Sequence, residues 1–183
     1  MASLAINGRL NQSNIAAEWR VLADEPFIEL RLSIDWNERH KILKLSFNLP
    51  STVSNRIDGI PGLYLDRESD GKETPLRDWT RLTLQSGQML GVVCPDVFAA
   101  DADPHRLRLT LLRSCVMANH NPFDLSKPGP FRLVYSDRGS HHFRFRFTAG
   151  PDVNIDNLNT QATMFQRPPI IAELTRGMPA AEQ

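Results

Sequence analysis

Ile28-Glu29-Leu30-Arg31-Leu32-Ser33-Ile34-Asp35-Trp36 carries an apolar side chain at every second position. Side chains of an extended chain point alternately to opposite faces. The spacing therefore puts Ile28, Leu30, Leu32, Ile34 and Trp36 on one face and Glu29, Arg31, Ser33 and Asp35 on the other. Ile42 to Phe47 repeats the pattern, with Leu43, Leu45 and Phe47 set against Lys44 and Ser46. The link Asn37-Glu38-Arg39-His40 is short and polar, which predicts an antiparallel hairpin. Pro50 closes the second strand, because proline has no N–H to give a ladder.

The same period continues outward. Leu107, Leu109 and Leu111 alternate with Arg106, Arg108 and Thr110 until Leu112 breaks the order, and Phe143, Phe145 and Phe147 alternate with Arg144, Arg146 and Thr148. Turn residues cluster at Asp58-Gly59, Ser69-Asp70-Gly71, Ser86-Gly87, Asp101-Ala102-Asp103-Pro104 and Lys127-Pro128-Gly129-Pro130. The 13 prolines are scattered and disfavour long helices. No helical period exceeds about two turns, and one short helix fits near Asp96 to Ala102. The expected fold is all-β, an antiparallel sandwich. Residues 1–17 are polar or small and read as a lead-in with at most one short strand. Residues 18–176 read as the sandwich domain, and 177–183 as a flexible tail.

A chain of 183 residues suits one domain with a sizeable core. Lys plus Arg and Asp plus Glu both number 21, so the formal net charge is zero. That disfavours a nucleic-acid or membrane-surface partner. No apolar run approaches the ~20 residues of a bilayer span. Met1 to Arg9 is too short and too weakly apolar for a secretory signal, which points to a cytoplasmic chain or an excised piece. Cys94 and Cys115 match no zinc or redox spacing; the expectation is two buried thiols, with a single disulfide as the alternative.

The five histidines form no ligand motif. His40 falls in the hairpin turn, His105 at a strand start, and His120 in the loop Ala118-Asn119-His120-Asn121-Pro122. His141 and His142 are neighbours on a strand and point to opposite faces. With neither His-x-x-x-His on a helix nor paired Cys-x-x-Cys, no metal is expected in this chain. Asp137-x-Gly139-x-His141-x-Phe143 is the most specific local pattern. It fits a loop that presents Asp137 or His141 to a cleft. It fits better a tight turn in which Asp137 accepts backbone hydrogen bonds, Gly139 takes a positive φ and His141 packs at the strand base. Arg144 and Arg146, interleaved with three phenylalanines, read as a strand with Phe inward and Arg outward rather than a nucleic-acid platform. Asp35 and Glu38 flank Trp36 and resemble a glycosidase carboxylate pair, but Arg39, His40 and Lys41 can neutralise them. Asp101-x-Asp103 lacks the downstream Glu of a calcium loop. There is no phosphate loop and no Gly-x-Ser-x-Gly elbow.

The hairpin Ile34-Asp35-Trp36-Asn37-Glu38-Arg39-His40-Lys41-Ile42-Leu43-Lys44-Leu45-Ser46-Phe47 resembles one in the C-terminal region of family-38 α-mannosidases, where a Val-Asp-Trp strand runs into a His-Lys-Leu-Leu-Lys strand. Leu109-Thr110-Leu111-Leu112-Arg113-Ser114 and Asp137-Arg138-Gly139-Ser140-His141-His142-Phe143 resemble the Leu-Thr-Leu-Leu-Arg-Ser and Asp-x-Gly-x-His-x-Phe elements that follow there. Ile60-Pro61-Gly62 through Arg67, with Pro75 and Trp79, is similar to the linking segment. These pieces occur in the family's order over about Glu18 to Gly150.

The resemblance implies a large sandwich of the galactose-mutarotase-like supersandwich type, packed beside a catalytic domain. The family's divalent metal, usually zinc, sits in that other domain on a His-x-Asp element with further Asp and His residues. This sequence has no His-x-Asp, so no catalytic residue carries over and no cofactor is expected here. Loops of the family's C-terminal region approach the glycan cleft, which makes Arg113, His120, Asp137 and His141 the candidate substrate-edge residues. The expected partner is the parent's catalytic domain, with carbohydrate as a further ligand. Missing neighbouring strands would leave an exposed sheet edge and favour a homodimer. A second reading is an independent carbohydrate-binding module, with Trp19, Trp79 and Tyr64 as the stacking aromatics and Trp36 in the core. A small stand-alone enzyme ranks last, for want of an acid/base or metal set.

Overall fold

The alternating stretches become strands of two stacked antiparallel sheets. The structure is a computed structural model, and it describes residues 1–117, 134–151 and 153–167. Its strands are β1 (Ala2–Leu10), β2 (Ser13–Val21), β3 (Ile28–Trp36), β4 (Ile42–Asn48), β5 (Val53–Ile60), β6 (Leu63–Arg67), β7 (Thr74–Pro75), β8 (Trp79–Leu84), β9 (Met89–Val93), β10 (Ala99–Asp103), β11 (Arg106–Arg113) and β12 (Gly139–Ala149); helix α1 (Ile155–Gln166) follows. One sheet has eight strands in the order β1-β2-β3-β12-β9-β8-β5-β6, and the other has four in the order β4-β11-β10-β7. The chain is an all-β antiparallel sandwich.

The core lies between the sheets. Leu30 pairs with Phe145 and Leu32 with Phe143 across β3 and β12. These side chains, with Ile34 and Trp36, meet Leu107, Leu109 and Leu112 of the smaller sheet. Burying each such group contributes about 1.5–3 kcal/mol. The break in alternation at Leu112 is a bulge: the β4–β11 register shifts between Thr110 and Leu112. The extra residue returns Leu112 to the inner face, where it is buried beside Leu109. Trp36 is buried as expected, and its indole N–H donates to the Ser114 hydroxyl.

Four local expectations meet a different structure. Residues 1–17, expected to hold at most one short strand, form β1 and half of β2. These two strands pair over nine residues without a shift. Asp58-Gly59 is no turn but the middle of β5. Asp58 is buried against Arg56, and a Cβ on Gly59 would meet the Arg77 carbonyl at 2.5 Å and the Trp79 indole at 3.0 Å. Close packing, not turning, demands the glycine. Asp101 to Asp103 extends as β10, with the turn after it, and no helix forms at Asp96 to Ala102. The helix lies instead at α1. Asn154 caps it by accepting from the Asn157 N–H at 2.8 Å. Only Leu158 and Ala162 are buried along it, an apolar stripe too thin to read from sequence. α1 covers the outer face of the larger sheet over Trp79 and Val93. Gly91 permits that approach, since a Cβ there would lie 2.8 Å from both Leu158 and Val153.

The larger sheet overhangs the smaller. Every residue of β1 is exposed. Leu4 and Ile6 lie opposite Trp19 and Ala17 on the side that faces the core further along, yet remain 59% and 51% exposed. Leu10, Val21 and Ile42 are exposed as well. By register Leu4, Ile6, Leu10 and Val21 share one face and form an apolar shelf on β1 and β2, whereas Ile42 lies on the outer face of β4 with Lys44.

Candidate functional site

At one end of the sandwich the β3–β4 turn, the end of β11 and the start of β12 converge. Asp137 takes φ 53° and Gly139 φ 118°, making the tight turn into β12. The Arg113 N–H donates to Asp137 Oδ2 at 2.7 Å, and His141 Nε2 lies 2.9 Å from the Asp137 carbonyl oxygen. The Ser136 hydroxyl donates to the Arg113 carbonyl at 2.6 Å. Three of the four candidate residues, Arg113, Asp137 and His141, are thus brought together. His120 lies outside the described residues.

The contacts are those of the structural reading. The Asp137 carboxylate ties β11 to β12, and His141 stacks on Phe143 with ring centroids 6.3 Å apart. His142 points the other way, with Nδ1 3.0 Å from the Ser33 hydroxyl. Sequence reasoning missed the neighbours. The Tyr135 hydroxyl lies 2.9 Å from His40 Nε2, and the Arg39 guanidinium sits 5.4 Å from the Tyr135 ring centre. Nothing local links His40 to Tyr135; only closure of the sandwich end does.

Arg113 also begins a charge ladder across the smaller sheet. Its Nη2 donates to Glu73 Oε1 at 2.7 Å, while Lys44 Nζ sits 2.8 Å from Glu73 Oε2 and 2.5 Å from Asp101 Oδ2. Lys44 and the Thr110 hydroxyl, donating to Glu73, hold its carboxyl below the usual glutamate range. Burial pulls the Lys44 ammonium down, but Asp101 and Glu73 outweigh it and hold it above its ordinary value. Both charges persist at neutral pH, so the ladder holds strands together and passes no proton.

The suspected pair Asp35 and Glu38 does not assemble. Asp35 is exposed, whereas Glu38 is buried beneath the β1–β2 turn. Glu38 Oε1 accepts from the Gln12 N–H at 2.8 Å and the Ser13 hydroxyl at 3.0 Å, and Lys41 Nζ lies 3.1 Å from Oε2. The Gln12 N–H, with Lys41 and Ser13, holds its carboxyl below the usual range. Arg144 and Arg146 face outward, as expected, but are paired: Arg144 with Asp96 at 3.2 Å and Arg146 with Glu29 at 3.0 Å. Among the three aromatics considered for stacking, Trp79 is buried, Trp19 packs 5.6 Å from Phe147, and Tyr64 is 49% exposed. Cys94 is buried and Cys115 exposed, both free, which corrects the expectation of two buried thiols.

Among the described residues no group of three or more His, Cys, Asp or Glu side chains could hold a metal ion. These residues do not fit a zinc site, and no step through a metal is derived. Among them, too, no helix is long and apolar enough to cross a membrane.

The sequence matches the family profile described as glycosyl hydrolases family 38 C-terminal domain over residues 1–121. Two solved structures share the fold. A glycosyl hydrolase family 38 protein from Enterococcus faecalis superposes with TM-score 0.65 and 10% identity, over 84% of this chain and 18% of that one. An alpha-mannosidase from Enterococcus faecalis V583 does so with TM-score 0.64 and 11% identity, over the same shares. The chain thus spans less than a fifth of the length of either. No curated protein sequence matches.

Proposed function

The chain belongs to the glycosyl hydrolases family 38 C-terminal domain family, and from that premise we propose that it is the supporting sandwich of an α-mannosidase-type glycoside hydrolase whose chemistry lies in a separate catalytic domain. The apolar shelf of β1 and β2 is the observation that carries the docking half of this reading. A domain that keeps Leu4, Ile6, Leu10 and Val21 in contact with water on one face has an unfilled partner surface. The occupant in the parent enzyme is the catalytic domain, which would also carry the zinc. The Asp137 end then edges the glycan cleft. Arg113, with half its side chain exposed, supplies donors for sugar hydroxyls, while Asp137 and His141 set the loop. The free thiols suit a reducing, cytoplasmic compartment.

Two measurements test the proposal. The coding sequence upstream of Met1, or in a neighbouring gene, should encode a His-x-Asp metal domain. The purified chain with zinc should not turn over an aryl α-mannoside. Turnover by this chain alone would overturn the division of labour.

A further inference from the structure

A cleft of about 420 Å³ opens between the β5–β6 hairpin and α1 on the outer face of the larger sheet, with β9 and β8 between β12 and this hairpin. Ligand pockets run from about 300 to 1,000 Å³, so its size suits one small ring or two. We propose that this cleft binds a neutral sugar ring. The proposal rests on the carbohydrate side of the reading above and gives it a second, separate site.

The floor is the buried Trp79 indole, packed against Gly59, where a Cβ would lie 3.0 Å from the ring. One wall is Tyr64, on β6 opposite Gly59 and 49% exposed. Its phenol ring offers the flat apolar surface that the C–H face of a pyranose covers, with a polar tip for a hydroxyl. The other wall is α1. Trp79 Nε1–H donates to Asn159 Oδ1 at 2.8 Å, which fixes the amide of this lining residue and keeps its NH2 as a donor. At the rim Arg77 Nε donates to Asp78 Oδ1 at 2.9 Å, and Gln166 donates to the same oxygen. That leaves the second Asp78 oxygen as an acceptor. Asp78 holds φ 70°, a conformation few side chains adopt, which keeps the carboxylate on the rim.

Charge selects the class of ligand. Arg77 is taken up by Asp78, and Asp156 adds a second carboxylate to the lining. The rim is net negative, which disfavours phosphate or carboxylate ligands. A polyol, by contrast, finds an aromatic wall, an amide donor and carboxylate acceptors. This sheet face is also distinct from the apolar shelf, so the two partners do not compete.

The test is titration of the 15N-labelled chain with methyl α-D-mannopyranoside and an α-linked mannose disaccharide, read at the Trp79 indole N–H resonance. A saturating shift in the millimolar range is expected. Tyr64→Ala should weaken it roughly tenfold, while Tyr64→Phe, which keeps the ring, should leave it nearly unchanged. Asn159→Ala should weaken it similarly, with the spectrum otherwise folded. No shift with either sugar overturns the proposal, as does a shift that glycerol matches or that Tyr64→Ala leaves intact. Any of these failures leaves the family reading standing, because its own test is the presence of a metal domain and the lack of turnover.

Discussion

Arg56 and Asp58 lie between the two sheets with side chains fully buried. Arg56 Nε and Nη2 fork onto the Asp58 carboxylate at 2.9 and 2.5 Å, and Thr80 donates to it at 2.7 Å. Nη2 also reaches the Ala100 carbonyl at 3.3 Å, so the pair bridges β5 to β10 of the other sheet. Alternation along β5 does not reveal it, since an Arg-x-Asp strand normally faces water. Arg56→Met removes the forked partner of buried Asp58, leaving Arg67 Nε at 3.8 Å, and should cost about 3 kcal/mol of unfolding free energy in urea. The double variant Arg56→Met with Asp58→Leu should recover a large part of that loss. If the single variant costs no more than the double, the pair is not what closes this end of the sandwich.

The β1–β2 hairpin pairs with β3 along β2, and its turn is pinned by one carboxylate. Its turn gives the Gln12 N–H and the Ser13 hydroxyl to Glu38, and Ser13 in turn accepts from the Asn37 N–H at 2.9 Å. Glu38 titrates below the ordinary glutamate range when folded. The sign follows: the stabilisation is complete above the unfolded value and is lost as pH falls through the lowered folded value. Amide exchange in β1 and β2 should therefore accelerate on the acid side of the ordinary carboxylate range, before the core strands β3 and β12 loosen. Glu38→Gln should show the faster exchange already at neutral pH, with little further change on acidification. A pH-independent hairpin in the wild-type chain would remove Glu38 from this role. The same element shows how far pattern reading reaches. Strands β3, β4, β11 and β12 were legible because each buries one face, which writes a period of two into the sequence. β1 and β2 were not, because an overhanging hairpin carries only a thin alternation of Leu4, Ile6, Ile15 and Ala17 among small polar residues.

At the scale of the whole molecule, the unmatched sheets are the main feature. An eight-stranded sheet cannot be covered by a four-stranded one, so one end of its inner face stays open. Among the described residues nothing pairs with the outer edge of β1, which carries a single charge, Arg9, and no proline or bulge to discourage another strand. The chain on its own should associate reversibly with a second copy in sedimentation at rising concentration. Ile6→Lys should keep it monomeric with its unfolding midpoint nearly unchanged, because Ile6 touches water already. A chain that stays monomeric at high concentration would count against a partner surface there. The sequence by itself determined the fold class, the hairpin that names the family, and the turn role of Asp137 and Gly139, because alternation and turn chemistry act over neighbouring residues. Tertiary structure alone decided that Asp58-Gly59 is strand, that the Glu38 carboxylate binds the β1–β2 turn, and that Tyr64 and α1 enclose a cleft. Each of those outcomes depends on groups far apart in the chain, whose burial and charge pairing exist only once the sheets have stacked.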